Sequence, residues 1–311
     1  MLRHVSTVKQ LSDKKLLAEL FKRAALFQNQ PVGKYPQTLK NKVIASLFFE
    51  PSTRTRFSFE TAVYRLGGNV ITIENGSVSS SAVKGETIED NIRAINGYAD
   101  GIIMRHPADG AASKAVKVSK VPFINAGDGT GEHPTQALLD LYTIQRAKGK
   151  IDGLKIALVG DLLYGRTVHS LIYLLSIYNV ELYLIAPPAL KVPSSYKMHL
   201  QQNKIKTLEA ESWSEIIDKV DVLYMTRVQK ERFKSTKDYN EYKDSFIFNN
   251  SSLSQLKKDA AILHPLPRVN EIASEIDEDP RALYFEQVKN GLYVRMALLD
   301  YIFSNGGKNI G

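Results

Sequence analysis

The sequence predicts an α/β protein built from two open domains, each a parallel sheet with helices on both faces. Short apolar runs typical of buried strands alternate with stretches of helical periodicity along most of the chain. A strand, a helix and a second strand in series form a crossover connection, which places the two strands in parallel. The 311 residues exceed one ordinary core and suit two domains of about 150 residues each.

The first part of the chain is predicted to alternate helices and strands. Strands are expected where aliphatic and β-branched side chains form short runs, at 43–49, 70–73, 101–105 and 121–125. Helices are expected over 13–27, from Pro51 to the Gly67–Gly68 pair, up to Gly97, and over 134–148. A glycine-rich loop at 125–133 leads into the last of these helices.

The second part alternates more regularly. Strands are expected at 154–160, 181–186, 205–209, 222–227 and 260–264, and helices at 166–178, 194–203, 213–219 and 252–258. A long last helix, at 283–303, is expected to return to the first domain. The expected domains are therefore 1–134, completed by about 289–311, and 135–288. Because ligands of such sheets bind outside the carboxyl ends of the strands, we expect the active site in the cleft between the domains.

The composition excludes several classes of function. Cysteine is absent, which excludes disulfides, thiolate nucleophiles and cysteine-ligated metals. No run reaches about 18 apolar residues and the first residues lack the apolar core of a signal peptide, so we expect a cytoplasmic protein without a membrane span. The six histidines include no His-x-x-x-His pair, so we expect no metal site. No Gly-x-Gly-x-x-Gly follows a predicted strand, so a dinucleotide site is not favoured and we expect no cofactor.

The chain is basic, with 41 Lys and Arg against 33 Asp and Glu and a net charge of +8. The basic residues are scattered and form no block of like charges, so nucleic acid is not an expected partner. A solvated basic surface and the binding of small anions both account for this charge.

The segment from Phe48 to Glu60 carries the strongest chemical signal. A buried strand is predicted to end there, and Ser52, Thr53, Arg54 and Thr55 open a helix. Free N–H groups, the helix dipole, hydroxyl donors and a guanidinium would then converge on one spot, which is a phosphate site built from local parts. The same residues are also typical of an ordinary N-cap followed by solvent-exposed arginines.

Further donors follow other predicted strand ends. They are Arg105, His133, Gln136, Arg166, Thr167, Arg227, Gln229 and His264. Because buried cations are costly without a counter-charge, this arrangement favours an anionic ligand. The stretch Gly160 to Thr167 matches the P-loop spacing with Arg in place of Lys. No predicted strand ends in the magnesium-binding Asp that accompanies a P-loop, so a nucleotide-hydrolysing site is not favoured.

These motifs together resemble the aspartate/ornithine carbamoyltransferase family over essentially the whole chain. The motifs that carry the resemblance are Phe-Phe-Glu-Pro-Ser-Thr-Arg-Thr-Arg at 48–56, Lys-Gly-Glu-Thr at 84–87, Arg-His-Pro at 105–107, His-Pro-Thr-Gln at 133–136, Gly-Arg-Thr-Val-His-Ser at 165–170 and His-Pro-Leu-Pro-Arg at 264–268. Within the family, Arg227 with Gln229, and Pro265 in place of a Cys after His264, resemble the aspartate branch.

The resemblance implies a role for each matching residue. Carbamoyl phosphate would be bound by Ser52, Thr53, Arg54, Thr55, Ser80, Arg105, His133, Gln136 and the carbonyl groups of Leu266 and Pro267. Arg54, Thr55, Arg105 and His133 would also be catalytic, and L-aspartate would be bound by Lys84, Arg166, Thr167, Arg227 and Gln229.

The family also implies an activity and an assembly. The activity is transfer of the carbamoyl group of carbamoyl phosphate to the α-amine of L-aspartate, which gives N-carbamoyl-L-aspartate and phosphate early in pyrimidine biosynthesis. The assembly is a homotrimer in which Ser80 and Lys84 reach the site of a neighbouring chain, and some members add zinc-bearing regulatory chains. Two alternatives stay open: a different amine acceptor such as ornithine, and a non-catalytic protein that binds small anions.

Overall fold

The computed structural model describes residues 2–75, 85–214, 216–230, 233 and 235–305. The chain divides into two compact units, each with its own core. Unit 1 comprises the chain up to Leu139 and again from Lys289, and unit 2 comprises Asp140–Val288. Both units are α/β with parallel sheets, which confirms the predicted fold class.

The helices and strands of unit 1 follow the predicted order, with one additional helix between the third and fourth strands. They are α1 (Lys14–Asn29), β1 (Val43–Phe48), α2 (Thr53–Arg65), β2 (Asn69–Glu74), α3 (Ile88–Ile95), β3 (Gly101–His106), α4 (Ala111–Val118), β4 (Phe123–Asp128) and the first part of α5 (Pro134–Lys148). Among its described residues, four parallel strands form a sheet in the order β2-β1-β3-β4.

Local sequence explains most of these boundaries. The Asp13 side chain accepts a hydrogen bond from the Leu16 N–H (2.7 Å) and so caps the start of α1. Pro134 stands at the first position of α5, where a missing N–H costs nothing. Helix α4 was not predicted, because it follows Gly110 in a left-handed conformation (φ 74°) and has no side-chain cap.

Unit 2 consists of the remainder of α5, β5 (Lys155–Val159), α6 (Arg166–Leu175), β6 (Glu181–Ile185), α7 (Ser194–Gln202), β7 (Lys206–Ala210), β8 (Val222–Met225), α8 (Thr236–Tyr242), α9 (Asn250–Gln255), β9 (Ala261–Leu263) and the start of α10 (Tyr284–Asn305). Its described strands form a five-stranded parallel sheet in the order β7-β6-β5-β8-β9. Three short 3-10 helices occur in the described chain, at Val8–Leu11, Pro188–Leu190 and Ser274–Glu278.

One predicted helix, at 213–219, is wrong. The described residues of this stretch form turns, in which the N–H groups of Ile216 and Ile217 both donate to the Trp213 carbonyl at 2.9 Å. The Trp213 ring lies 5.3 Å from Phe246 and 5.9 Å from Phe248, centroid to centroid. Packing in the core of unit 2 therefore outweighs the weak helical pattern of this stretch. Helix α8 was not predicted either, since it is only seven residues long and Tyr239 and Tyr242 are its only large apolar side chains.

The strand order places the candidate residues. In unit 1 the chain goes from β1 to β2 on one side and then to β3 on the other. In unit 2 it goes from β5 to β6 and β7 on one side and then to β8 and β9 on the other. The carboxyl ends of β1 and β3, and those of β5 and β8, therefore flank topological switch points, where open α/β sheets bind ligands.

No helix among the described residues is long and apolar enough to cross a membrane.

Candidate functional site

The loop after β1 leads directly into the start of α2. Helix α2 begins at Thr53, and the Ser52 side chain before it makes no capping hydrogen bond. Thr55 is buried and Arg54 is exposed. The first N–H groups of a helix have no partner within that helix and lie at the positive end of its dipole. This loop can therefore receive a phosphate or another anion.

Arg105 lies at the carboxyl end of β3, next to that loop. The Phe49 N–H donates to the Arg105 carbonyl at 2.9 Å, which extends the pairing of β1 with β3 into the loop. The guanidinium Nη2 of Arg105 donates to Oε1 of Glu50 at 3.3 Å, and Arg105 is only 9% exposed. Because a buried cation is costly without a counter-charge, Glu50 stabilises Arg105 at this position.

His133 and Gln136 lie at the start of α5. The His133 carbonyl accepts hydrogen bonds from the N–H groups of Gln136 (3.0 Å) and Ala137 (3.2 Å), so His133 occupies the position just before the helix. Both side chains are buried, at 4% and 9% exposure. In unit 1, the structure therefore places the predicted donors after β1, β3 and β4, which are neighbours in the sheet.

The corresponding segment of unit 2 is the loop after β5. Gly160 has φ 114°, and a Cβ at this position would collide with the carbonyl oxygen of Thr226, so the residue must be glycine. The loop leads into α6, which begins at Arg166 with no side-chain cap before it. Arg166 is buried and Thr167 is half-buried.

Asp161 connects this loop to the segment after β8. Its fully buried carboxylate accepts hydrogen bonds from the N–H groups of Tyr164 (2.9 Å) and Gln229 (3.4 Å). The Gln229 side chain in turn donates to the Tyr164 carbonyl at 3.0 Å. Burial raises the pKa of Asp161, while these N–H groups and nearby Arg227 oppose that rise. These hydrogen bonds join the loop that precedes Arg166 and Thr167 to the segment after β8 that carries Arg227 and Gln229.

His264 follows β9 and organises the segment 264–268. Its Nδ1 accepts a hydrogen bond from the Leu266 N–H at 2.8 Å, so its Nε2 carries the proton and donates to Oε1 of Glu271 at 2.7 Å. The peptide bond between Leu266 and Pro267 is cis. Burial lowers the pKa of His264, although Glu271 opposes this shift.

This buried histidine predicts a pH dependence of stability. Below its ordinary pKa of 6.5, the unfolded chain binds a proton at His264 that the folded chain does not bind. The free energy of unfolding should therefore fall as the pH drops below this value. His264→Gln keeps a donor and an acceptor but cannot titrate, so it should show a smaller fall between about pH 7 and about pH 5.5 in denaturant titrations. Equal slopes for the two proteins would contradict this assignment.

Three further residues, which the sequence analysis did not assign, contact the segments that carry the predicted site residues. Glu50 and Asp161 support the predicted residues as described above. Arg295, on α10, is buried in unit 1, donates to Oγ of Ser58 at 2.9 Å and lies 4.9 Å from the Phe59 ring centroid. The positions of Glu50 and Asp161 at predicted strand ends were a usable signal, whereas nothing local indicated the partners of Arg295.

Two of the predicted residues, Ser80 and Lys84, lie outside the described residues. Within the described part of the chain, no group of three or more His, Asp and Glu side chains could hold a metal ion.

Both halves of the chain match families of known proteins. Residues 3–146 match the family described as aspartate/ornithine carbamoyltransferase, carbamoyl-P binding domain. Residues 152–302 match the family described as aspartate/ornithine carbamoyltransferase, Asp/Orn binding domain.

Curated proteins are similar over nearly the full chain. The chain is 53% identical to an aspartate carbamoyltransferase catalytic subunit of Clostridium acetobutylicum, covering 91% of this chain and 92% of that protein. It is 48% identical to the catalytic subunit from Methanocaldococcus jannaschii, covering 98% and 99%. It is also 47% identical to the multifunctional protein pyr1-3 of Dictyostelium discoideum, covering 98% of this chain but only 14% of that much longer protein.

A solved structure shares the fold. The aspartate transcarbamoylase of Trypanosoma cruzi, crystallised with carbamoyl phosphate and aspartate, superposes with a TM-score of 0.90 at 37% identity, covering 97% of each chain.

Proposed function

The chain belongs to the aspartate/ornithine carbamoyltransferase family, and we propose that it transfers the carbamoyl group of carbamoyl phosphate to the α-amine of L-aspartate. The products are N-carbamoyl-L-aspartate and phosphate, as in pyrimidine synthesis. The observation that carries the proposal is that each unit collects arginines and N–H donors at the switch point of its sheet. Both substrates are anions, and each would receive a site of its own.

Carbamoyl phosphate is assigned to unit 1. Its phosphate would lie at the start of α2, against the residues Ser52, Thr53, Arg54 and Thr55, where the helix dipole favours negative charge. Its carbonyl oxygen would accept hydrogen bonds from Arg105 and His133, and Gln136 would bind its amide. The counter-charge that Glu50 now supplies to Arg105 supports this assignment, because the bound anion can share that role.

L-Aspartate is assigned to unit 2. Arg166 and Thr167 at the start of α6, with Arg227 and Gln229 after β8, would hold its two carboxylates. The hydrogen bonds of Asp161 support this assignment, because they join the two segments that carry these residues. In carbamoyl phosphate, the other substrate, the amide would donate hydrogen bonds to the carbonyl groups of Leu266 and Pro267.

The reaction needs no protein nucleophile, because phosphate is already a good leaving group. The neutral amine of aspartate attacks the carbamoyl carbon and forms the N–C bond. The C–O bond to phosphate breaks, its electron pair leaves with the phosphate, and the proton lost by the amine goes to the departing phosphate. Arg105, His133 and Thr55 donate hydrogen bonds to the carbonyl oxygen while negative charge develops on it. The protein thus positions two anions and stabilises the transition state.

A colorimetric assay for ureido products tests the proposal. The purified protein is incubated with carbamoyl phosphate together with one amine in each reaction: L-aspartate, L-ornithine or another amine. We expect product with L-aspartate and none above background with the other amines. Product with ornithine alone would identify a different acceptor, and no product with any amine would indicate a binding protein without this activity.

Arg227→Ala should weaken the use of aspartate selectively. Removing the guanidinium removes a charge-assisted hydrogen bond to a carboxylate, so the KM for aspartate should rise by roughly 10- to 100-fold. Carbamoyl phosphate binding, measured by calorimetry without aspartate, should stay unchanged. Arg146→Ala is a matched control, since it removes an exposed arginine of the same unit. If carbamoyl phosphate binding were also lost in Arg227→Ala, the assignment of Arg227 to aspartate would be wrong.

The proposal includes a homotrimer working in the cytoplasm, with Ser80 and Lys84 completing the site of the neighbouring chain. Its support is the resemblance of the motif at 84–87 to the family pattern. Light scattering of the purified chain should give a mass three times that of one chain, and a larger assembly from the native source would indicate regulatory chains.

A further inference from the structure

A chain of buried hydrogen bonds runs behind the start of α6 in unit 2. Asp140 and Tyr224 are fully buried, and Gln287 and His264 are each 1% exposed. The Tyr224 hydroxyl donates to Oδ2 of Asp140 at 2.7 Å, and the Gln287 amide donates to Oδ1 of Asp140 at 2.6 Å. The Thr167 side chain makes the last hydrogen bond of this chain, with the Tyr224 hydroxyl.

The direction of each hydrogen bond follows from one fixed donor. The backbone N–H of His264 donates to Oε1 of Gln287 at 3.0 Å, which fixes the amide so that its nitrogen faces Asp140. The Asp140 carboxylate then accepts from both neighbours. The Tyr224 hydroxyl has a single proton and gives it to Asp140. Its oxygen must therefore accept the proton of the Thr167 hydroxyl.

The pKa of Tyr224 is consistent with a protonated hydroxyl that donates to Asp140. Complete burial and the nearby charge of Asp140 raise its pKa well above the ordinary value, so the phenol keeps its proton at neutral pH.

We propose that Tyr224, oriented by Asp140, is a positioning residue whose oxygen accepts the hydroxyl proton of Thr167. The Thr167 oxygen is then left to accept a hydrogen bond from the amine of the substrate. The proposal rests on the proposed function and changes one of its parts. A hydroxyl whose proton is already engaged offers only lone pairs to a ligand. Such an oxygen would repel a carboxylate and attract an N–H group. The two carboxylates of aspartate are then held by Arg166, Arg227 and Gln229.

This arrangement serves the chemistry of the attack. A neutral primary amine has two N–H bonds and one lone pair, and the lone pair must face the carbamoyl carbon. An acceptor that takes one N–H fixes the rotation of the amine and so contributes to near-attack geometry. An acceptor also binds the amine more strongly than it could bind a group without N–H, so Thr167 would distinguish an amino acid from a plain dicarboxylate.

The first measurement compares two tyrosine variants. Tyr224→Phe should lower kcat/KM for aspartate by about tenfold, because the Thr167 proton is no longer held inward, while carbamoyl phosphate binding measured by calorimetry stays unchanged. Tyr183→Phe is the matched control, since Tyr183 is also buried in the same sheet and its hydroxyl donates to Glu181 at 2.8 Å. It should keep wild-type kinetics. Equal kinetics for both variants would overturn the proposal.

The second measurement asks whether Tyr224 acts through Thr167. In a double-mutant cycle, Thr167→Val alone and Thr167→Val with Tyr224→Phe should lose the same activity. The reason is that Tyr224 acts only through the Thr167 hydroxyl, which Thr167→Val has already removed. Thr167→Ser, which keeps the hydroxyl, should recover most of the activity that Thr167→Val loses. Multiplicative losses in the double variant would mean that Tyr224 has a merely structural role and would overturn the proposal.

The third measurement separates an acceptor from a donor. Succinate has both carboxylates of aspartate and no amine. Thr167→Val should weaken aspartate use by about tenfold but leave inhibition by succinate unchanged. Weakening of both ligands to the same extent would mean that Thr167 donates to a carboxylate, as the family resemblance first implied. If the wild-type protein carbamoylates no amine, the proposed function itself fails; if it is active and these variants behave like their controls, only this inference fails.

Discussion

Arg105→Ala should lower turnover by about 10²–10³-fold, the cost of removing one donor to an oxyanion. Arg105 is held at the end of β3 by Glu50 and is almost fully buried. Its charge therefore acts in a poorly solvated place, where a preorganised donor is worth more than in water. The loss should appear mainly in kcat, because negative charge on the carbonyl oxygen develops only in the transition state.

A control separates this effect from general damage. Arg93→Ala removes an arginine of the same unit whose side chain is 59% exposed and pairs with Asp90 on the same helix. It should keep wild-type kcat, since an exposed ion pair contributes little. Circular dichroism and thermal melts should show that both variants fold. Wild-type turnover in a folded Arg105→Ala protein would exclude Arg105 from transition-state stabilisation.

Arg54→Ala and Lys84→Ala proteins should each be nearly inactive alone and should recover activity when mixed. Arg54 lies at the exposed start of α2, and Lys84 belongs to the segment outside the described residues. Suppose that each site takes Arg54 from one chain and Lys84 from its neighbour in a ring of three. A mixed trimer, which contains both variants, then has one interface at which Arg54 and Lys84 are both native.

The expected recovery follows from random assembly. Equal mixing makes roughly three quarters of the trimers mixed, so roughly one quarter of all sites should be intact. The two proteins are dissociated, mixed, reassembled and assayed. Arg54→Ala protein carried through the same cycle with itself is the control and should recover nothing. No recovery in the mixture, with chain exchange shown by mass spectrometry, would mean that each chain builds its site alone.

Local sequence predicted the regular elements well where their pattern was strong. The short aliphatic runs became β1 to β9, and the capping residue of α1 and the proline of α5 marked their starts. It failed where the signal was weak or overruled: α4 begins after a left-handed glycine without a side-chain cap, α8 is short and has only two large apolar side chains, and the turns at 213–219 follow the packing of Trp213.

The sequence by itself determined the family and the set of candidate residues for the chemistry, because arginines, hydroxyls and a histidine follow the predicted strand ends in short, recognisable motifs. Only the tertiary structure decided which of those ends are neighbours and what holds each side chain. The decisive contacts join residues far apart in the chain: Glu50 with Arg105, Asp161 with Gln229, and Asp140 with both Tyr224 and Gln287. Periodicity and capping act over a few residues, whereas these partners are selected by the order in which the strands join each sheet, and that order depends on packing of the whole unit.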